Sequence, residues 1–333
     1  MTARLAILIL AALAVGCGGS DTPTSPSNPG GGSGGDVVAG PTIACPGNIS
    51  ASTTTSTAQV AFPAPAVSGG LAPVTVSCTP ASGATFQLGS TNVSCTASDS
   101  LSRQAVCGFS VSVARTATLQ RTSFLAFGDS TTAGEVSVPT SVGATTGGLP
   151  SFKLILVPSA SYPTQLQALL RNRYVTQQTA ISVASSGVPG ERATAGVTRL
   201  PGMMSAVRPD VVLLLEGYND LALGLTQVGP PAAAIEAMAK EARNRGARVY
   251  IASLTPPRPG GRNALPADWI ATYNARLRSV AAGENAVFVD LYQALVSNVT
   301  LYIGTDGLHP TEIGYQKIAE AFFNSFQATL QNP

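Results

Sequence analysis

Phe124-Leu-Ala-Phe-Gly-Asp-Ser-Thr-Thr-Ala-Gly134 joins an apolar run to a turn. The run that starts at Ser123 and stops at Gly128 predicts a buried strand, and Gly-Asp-Ser follows where such a strand has to turn. Ser130 is thereby placed at the carboxyl end of a strand. Open parallel sheets bind and transform ligands at that edge, because strand-to-helix turns expose side chains and backbone N–H groups to a crevice there. A serine at that place is a candidate nucleophile. Taken alone it is weak, since Gly-Asp-Ser is also an ordinary turn and serine an ordinary helix cap.

Context comes from the rest of the carboxyl-terminal part. Apolar runs at 123–127, 181–184, 211–216, 249–254 and 286–290 alternate with helical patterns at 162–174, 231–245, 268–281 and 311–330. Continuous apolar strands between amphipathic helices predict a parallel sheet covered on both faces. The segment 121–330, about 210 residues, is ample for one such domain.

Asp306-Gly-Leu-His309-Pro310 comes just before the last helical pattern, and His309 is the only histidine in the chain. A lone histidine is usually a satisfied surface or cap residue. Here it sits between turn residues and a proline that starts a helix, with an aspartate three residues before it. A serine nucleophile needs a base to take its proton, and that base needs a carboxylate to fix its tautomer and stabilise the imidazolium. If the chain runs a triad, His309 must be the base. Oxyanion donors are also on offer: Gly217-Tyr-Asn219-Asp220 follows the strand at 211–216, and Ser185-Ser-Gly-Val-Pro-Gly190 follows the strand at 181–184. The first brings the Asn219 amide to the sheet edge that carries Ser130, and the second an accessible backbone N–H. Asp129 and Asp220 are assigned structural roles at their turns.

The blocks Gly128-Asp-Ser130, Gly187-Val-Pro-Gly190, Gly217-Tyr-Asn219-Asp220 and Asp306-Gly-Leu-His309-Pro310 resemble those of the SGNH, or GDSL-like, hydrolases over 123–330. The resemblance implies an α/β protein with a three-layer α/β/α, flavodoxin-like parallel sheet. It also implies a serine hydrolase acting on carboxylic esters, with substrates that range in the family from lysophospholipids and thioesters to aryl esters and O-acetylated sugars. Ser130 is then the nucleophile, His309 the base and Asp306 the acid that orients it, with no metal or cofactor. The oxyanion hole is the N–H groups of Ser130 and Gly190 with the side chain of Asn219. Ser185 stands where the family commonly has Asn, which leaves both Gly187 and Gly190 as candidate donors. Gly190 is preferred, because the stretch from it to Arg199-Leu200 has the length seen in bacterial thioesterase- and lysophospholipase-like members.

Two further stretches belong to the same edge. Residues 137–161, rich in Gly, Thr, Ser and Pro around Phe152-Lys-Leu-Ile-Leu-Val157, form an insertion that is either a lid, a substrate wall or a surface hairpin. The loop Thr255-Pro-Pro-Arg-Pro-Gly-Gly-Arg262 is expected to line the same crevice.

Upstream, the pattern changes. Short alternating runs such as Val74-Thr-Val-Ser-Cys78, Asn92-Val-Ser-Cys95 and Cys107-Gly-Phe-Ser-Val-Ser-Val113, separated by Pro and Gly, predict a small antiparallel β-sandwich over 37–115. Cys45, Cys78, Cys95 and Cys107 share strand parity with Ile43, Val76, Val93 and the pair Phe109 and Val111, so all four are expected to point inward. Two disulfides would then staple a modest core. Four cysteines allow three connectivities, and the pairing taken here is Cys78 with Cys95 and Cys45 with Cys107. No Cys-x-x-Cys spacing or nearby histidine suggests a metal. Ile43-Ala-Cys-Pro46, Phe62-Pro-Ala-Pro65, Ser82-Gly-Ala-Thr-Phe86 and Gly89-Ser-Thr-Asn-Val-Ser-Cys-Thr-Ala97 resemble a hyalin (HYR) repeat. That resemblance implies an immunoglobulin-like fold and, by analogy, a glycan or surface ligand; a passive spacer is the other reading.

Residues 1–16 read as a secretory leader, since Arg4 precedes an apolar run too short to span a bilayer. Ala14-Val15-Gly16-Cys17 resembles a bacterial lipobox, which makes Cys17 the lipidated first mature residue and 17–36, almost wholly Gly, Ser, Pro, Thr and Asn, a flexible tether. An ordinary leader followed by secretion is the alternative. The cell envelope is the expected location, the outer membrane if the host is Gram-negative, with the lipid as the only membrane contact. Only 11% of residues are charged and the net charge is +2, which excludes a nucleic-acid footprint and a polybasic membrane patch. The expectation is an exported, lipid-tethered serine esterase. Its competitor is an adhesion or glycan-binding surface lipoprotein with weak or no hydrolase activity.

Overall fold

The apolar runs form one parallel sheet. In a computed structural model that describes residues 38–140, 145–146, 149–224 and 228–332, strands β1 (Ser123–Gly128), β2 (Ser182–Gly187), β3 (Val211–Leu215), β4 (Arg248–Ala252) and β5 (Val287–Val289) lie in the order β2-β1-β3-β4-β5. Phe124, Leu125, Ala126 and Phe127 of β1 and every residue of β3 are buried, as a sheet covered on both faces requires. The leader 1–16 and the tether 17–36, with Cys17, lie outside the described residues.

Five helices supply the covering layers: α1 (Tyr162–Arg173), α2 (Ala193–Val207), α3 (Gly229–Asn244), α4 (Ala267–Gly283) and α5 (Glu312–Thr329). α1 packs against α5, and α3 packs against both α2 and α4. Right-handed crossovers account for that grouping. The chain leaves β1 for β2 in one direction and runs β3 to β5 in the other, so α1 falls on one face and α2, α3 and α4 on the opposite one. α5 closes the first face with aromatic contacts: Phe326 stacks on Phe124 at 5.0 Å and meets the edge of Tyr250 at 4.7 Å, while Phe322 stacks on Tyr162 at 5.3 Å.

The reversal of strand order puts β1 between β2 and β3. Its ladder pairs Gly128 with Gly187 on one side and with Leu215 on the other, so three strands end at the same level. Whatever follows each of them emerges side by side, one strand spacing of about 4.8 Å apart.

One expectation for this part is corrected, and one helix was not anticipated. Ser185-Ser-Gly187 continues β2 instead of starting a loop, because its backbone still pairs with Ala126, Phe127 and Gly128. Helix α2 carries no apolar run in the sequence that announces it, and holds Gly196, Pro201 and Gly202. Its start is fixed from outside instead: Asp220 accepts from the Ala193 N–H at 2.8 Å and from the Thr194 hydroxyl at 3.0 Å, a capping role played by a residue distant in sequence.

Residues 42–115 hold strands only. Ile49–Thr53, Gln104–Arg115, Gly89–Ser98 and Thr75–Thr79 form a four-stranded sheet in that order, and two-stranded ribbons pair Thr42–Ala44 with Ala66–Ser68 and Thr57–Gln59 with Thr85–Gln87. The expected β-sandwich pattern is therefore present, with one departure: Ile49–Thr53 runs parallel to its partner strand. The disulfides are Cys45–Cys107 and Cys78–Cys95, the pairing expected. The inward placement of all four cysteines is not found. Cys95 is fully buried, whereas the other three are only partly so and Val76 is exposed. Thr75–Thr79 is the edge strand of its sheet, and an edge strand shares less of the core than Gly89–Ser98 beside it.

Candidate active site

Every residue singled out in the four blocks stands at the carboxyl edge of this sheet. Asp129 follows the end of β1 and caps the one-turn helix Ser130–Ala133, its Oδ1 accepting from the Thr131 N–H at 2.9 Å. That turn fixes Ser130 over the strand end and leaves its N–H without an intrahelical acceptor. His309 arrives from the loop before α5. Its Nε2 lies 2.9 Å from the Ser130 hydroxyl and its Nδ1 2.6 Å from Asp306 Oδ2. All three side chains are buried.

The Asp306 carboxylate is held from several directions. Its Oδ1 accepts from the backbone N–H groups of Leu308 and His309 at 3.3 and 3.2 Å, and its Oδ2 from the Asn263 amide at 3.2 Å. Burial pushes the Asp306 carboxyl up, but the hydrogen bond and charge of His309, with the Leu308 and Asn263 donors, outweigh it and leave the group below the ordinary carboxylate range. It is an ionised partner for the imidazole. The loop after β4 reinforces this: Asn263 N–H donates to the Asp306 carbonyl at 2.7 Å and Arg258 N–H to the Gly307 carbonyl at 3.0 Å. That loop lines the crevice as expected, and it also holds the acid in place.

Gly187 and Gly190 separate clearly. A side chain at Gly187 would put its Cβ 2.1 Å from the Ala133 nitrogen, so this glycine exists for close packing under the Ser130 helix. Gly190, at φ +76°, has open space around it and lines the cleft with Ser130. Asn219 comes from the short helix Tyr218–Leu221 after β3, and its amide donates to the Glu191 carbonyl at 2.7 Å. That bond uses one of the two amide hydrogens, which leaves the other for a ligand in the cleft.

The cleft has a volume of about 380 Å³ and is lined by Ser130, His309, Gly190 and Asn219, with Glu135 and Leu154 on one wall and Arg262, Asn263, Ala264 and Leu265 on another. The insertion contributes Leu154 to that lining. Its strands Glu135–Pro139 and Phe152–Leu156 form an antiparallel hairpin whose base is tied to α5 by the Tyr315 hydroxyl, donating to the Glu135 carbonyl at 2.6 Å.

Several participants were not legible in the sequence. Glu135 brings its Oε2 to 3.4 Å from His309 Nε2. Behind the Gly190 turn, Arg199 Nε donates to Glu191 Oε1 at 2.7 Å, its Nη2 to the Ser186 carbonyl at 3.0 Å and more loosely to that of Gly128 at 3.4 Å, and its guanidinium lies 3.9 Å over the Phe127 ring. The turn bearing Gly190 is thereby pinned to the ends of β1 and β2. Glu216, buried at the end of β3, has no donor on either carboxylate oxygen, and the nearest Arg199 nitrogen is 4.0 Å away. A neutral carboxyl resolves that. Burial pushes Glu216 up to about 10, and the neighbouring carboxylates of Glu191 and Asp129 act the same way. No local pattern could have announced these acids and this arginine, because each looks like a solvated charge until the fold closes around it.

The chain is similar to known proteins over the same region. The sequence pattern of the HYR domain matches residues 38–113. Esterase TesA of Pseudomonas aeruginosa is 27% identical over 166 residues, which cover 49% of this chain and 78% of that protein. The lipase/acylhydrolase from Enterococcus faecalis superimposes with a TM-score of 0.50 at 22% identity, over 63% of this chain and 97% of its own. LAE5, an alpha/beta hydrolase enzyme from the metagenome of Lake Arreo, does so at 0.50 and 19%, over 63% and 96%. The pattern of the GDSL-like Lipase/Acylhydrolase family matches residues 126–317, more than half of the chain, and the chain belongs to that family of ester-hydrolysing serine hydrolases.

Proposed function

We infer that the chain hydrolyses carboxylic esters through a Ser130-His309-Asp306 triad and a covalent acyl-enzyme. One observation carries the reading: a single buried imidazole bonds to the Ser130 hydroxyl on one nitrogen and to an ionised carboxylate on the other. Ser130 Oγ attacks the ester carbonyl as its proton passes to His309 Nε2. The N–H groups of Ser130 and Gly190 and the Asn219 amide receive the oxyanion, and His309 returns the proton to the departing alcohol oxygen. Water then attacks the acyl-Ser130 ester by the same route in reverse and releases the carboxylic acid. The name of the esterase relative supports an ester substrate.

The test is labelling by a fluorophosphonate together with turnover of p-nitrophenyl acetate and butyrate. Wild type is labelled and active, and Ser130→Ala is neither. A folded wild-type protein that takes no label and turns over no ester in a panel of chain lengths refutes the reading.

Export and anchoring rest on the sequence of residues 1–36. Cys17→Ser is expected to move the protein from the membrane fraction to the medium and to abolish uptake of labelled fatty acid. A wild type that takes up no fatty acid overturns the anchor. The HYR match favours a second role, binding of a glycan or surface ligand that brings the esterase to an insoluble substrate. Deletion of 37–115 should lower activity on an insoluble ester and spare a soluble one; equal effects on both remove the idea.

A further inference from the structure

Asp306 is not the only carboxylate on the catalytic imidazole. Glu135 follows the Ser130 helix directly, at the first position of the hairpin wall, and reaches His309 from the opposite side. Its Oε2 is 3.4 Å from Nε2, the nitrogen that also faces Ser130 Oγ at 2.9 Å. The side chain is partly exposed and lines the cleft, so it meets substrate as well as His309. Among the described residues its carboxylate has no other hydrogen-bond or ion-pair partner. Tyr315 binds only the Glu135 backbone carbonyl, which holds the residue while leaving its carboxylate free to accept.

Position gives this carboxylate a side of the substrate. In ester hydrolysis by a serine and a histidine, Nε2 must come within hydrogen-bond reach of the leaving oxygen to protonate it. The oxyanion points the other way, toward Gly190 and Asn219. A group 3.4 Å from Nε2 therefore borders the alcohol half of the ester. A hydroxyl on the carbon next to the ester-bearing carbon lies about 2.8 Å from the leaving oxygen and can donate to Glu135, and a charge-assisted bond of that kind is among the stronger ones a site can offer. A leaving group that carries its own negative charge at the same place meets repulsion instead.

We propose that Glu135 is the alcohol-side specificity residue, and that the substrate is an ester of a neutral polyhydroxy alcohol whose neighbouring hydroxyl donates to its carboxylate. The proposal rests on the Ser130-His309-Asp306 reading and adds the substrate class to it.

Three butyrate esters with one acyl group test it: glycerol monobutyrate, propyl butyrate and O-butyrylglycolate. They are compared on wild type, Glu135→Ala and Glu135→Gln by kcat/KM at low ionic strength. Wild type is expected to prefer the glycerol ester over the propyl ester by about tenfold or more and to discriminate against the glycolate ester. Glu135→Ala should bring the glycerol-to-propyl ratio to within about twofold. Glu135→Gln, with the same shape and no charge, should raise absolute activity on the glycolate ester severalfold, a gain that damage to the fold does not produce. Equal wild-type activity on glycerol and propyl esters overturns the proposal while leaving the triad standing. So does a Glu135→Ala variant that loses both in proportion, or a Gln variant with no gain on the glycolate ester. A wild type inert to all three esters and to fluorophosphonate overturns both.

Discussion

Asp129 is buried beside Ser130 as a helix cap, and its ionisation has a measurable cost. Burial raises its carboxyl from 3.8 to about 6, against the hydrogen bond from the Thr131 N–H and the charge of His309, which both lower it. Between pH 4 and 6 the unfolded chain releases this proton and the native protein keeps it, so the native state binds more protons and stability falls as pH rises. Above pH 6 the loss is complete. A displacement from 3.8 to about 6 corresponds to about 3 kcal/mol at 1.36 kcal/mol per tenfold. Asp129→Asn keeps the acceptor oxygen for Thr131 and removes the ionisation. A constant offset from the new amide hydrogens is expected, but that offset does not vary with pH. The stability difference between Asn variant and wild type should therefore move by about 2 to 3 kcal/mol in favour of the variant between pH 4 and pH 8. For a domain of this size that is roughly 5–10 °C in Tm. Thermal melts of both proteins across that range, with the full chain, give the answer. A Tm difference that stays flat from pH 4 to 8 would falsify the buried-acid account of Asp129. Activity should move the opposite way, since the variant loses a negative charge beneath the imidazolium, the usual exchange of stability for function at an active site.

Three further outcomes follow from the geometry. Asn219→Ala leaves Ser130 and His309 in place and removes one oxyanion donor, so kcat should fall on the order of 10²–10³ with KM little changed and fluorophosphonate labelling retained, though slowed; a variant with normal kcat removes Asn219 from the oxyanion hole. Asp306→Asn favours the wrong imidazole tautomer and should lower kcat on the order of 10³–10⁴, whereas near wild-type turnover there, with loss at Asp129 or Asp220, means the triad acid is misassigned. Glu216→Gln, which copies a neutral carboxyl, should keep kcat and Tm close to wild type, while Glu216→Ala opens a cavity and should cost about 2 kcal/mol or more; collapse of activity in the Gln variant would show that Glu216 works as an anion.

The central sheet was readable because its strands are continuous apolar runs, which a sheet covered on both faces requires. Helix α2 was not, because its start is specified by Asp220 from a different strand end and its interior carries Pro201. The Ser130–His309–Asp306 arrangement was readable for a different reason. Asp306 and His309 lie three residues apart in a chain with one histidine, so locality and scarcity did the work. Glu135 and Asn263 had neither advantage. An acid after a turn and an asparagine in a proline-rich loop are ordinary surface residues until tertiary structure turns one toward His309 and the other toward Asp306.

What tells the acids of this site apart is environment. Asp129, Glu216, Asp220 and Asp306 are all buried, and all lie within a few residues of a strand end or the last helix. Asp220 is taken up by the first turn of α2, where N–H donors wait for an anion. Asp129 has one backbone donor and is left near 6, ionised at neutral pH but at a cost. Glu216 has no donor at all and stays neutral, which lets it sit beside Glu191 without repulsion while Arg199 binds Glu191 and the strand ends. Only Asp306 combines several donors with the imidazole, and together they hold its carboxyl below the ordinary carboxylate range. The carboxylate that bonds the imidazole is therefore placed by hydrogen-bond supply and not by sequence adjacency to Ser130, which is why Asp129, the acid next to Ser130 in the chain, is not the one that meets His309.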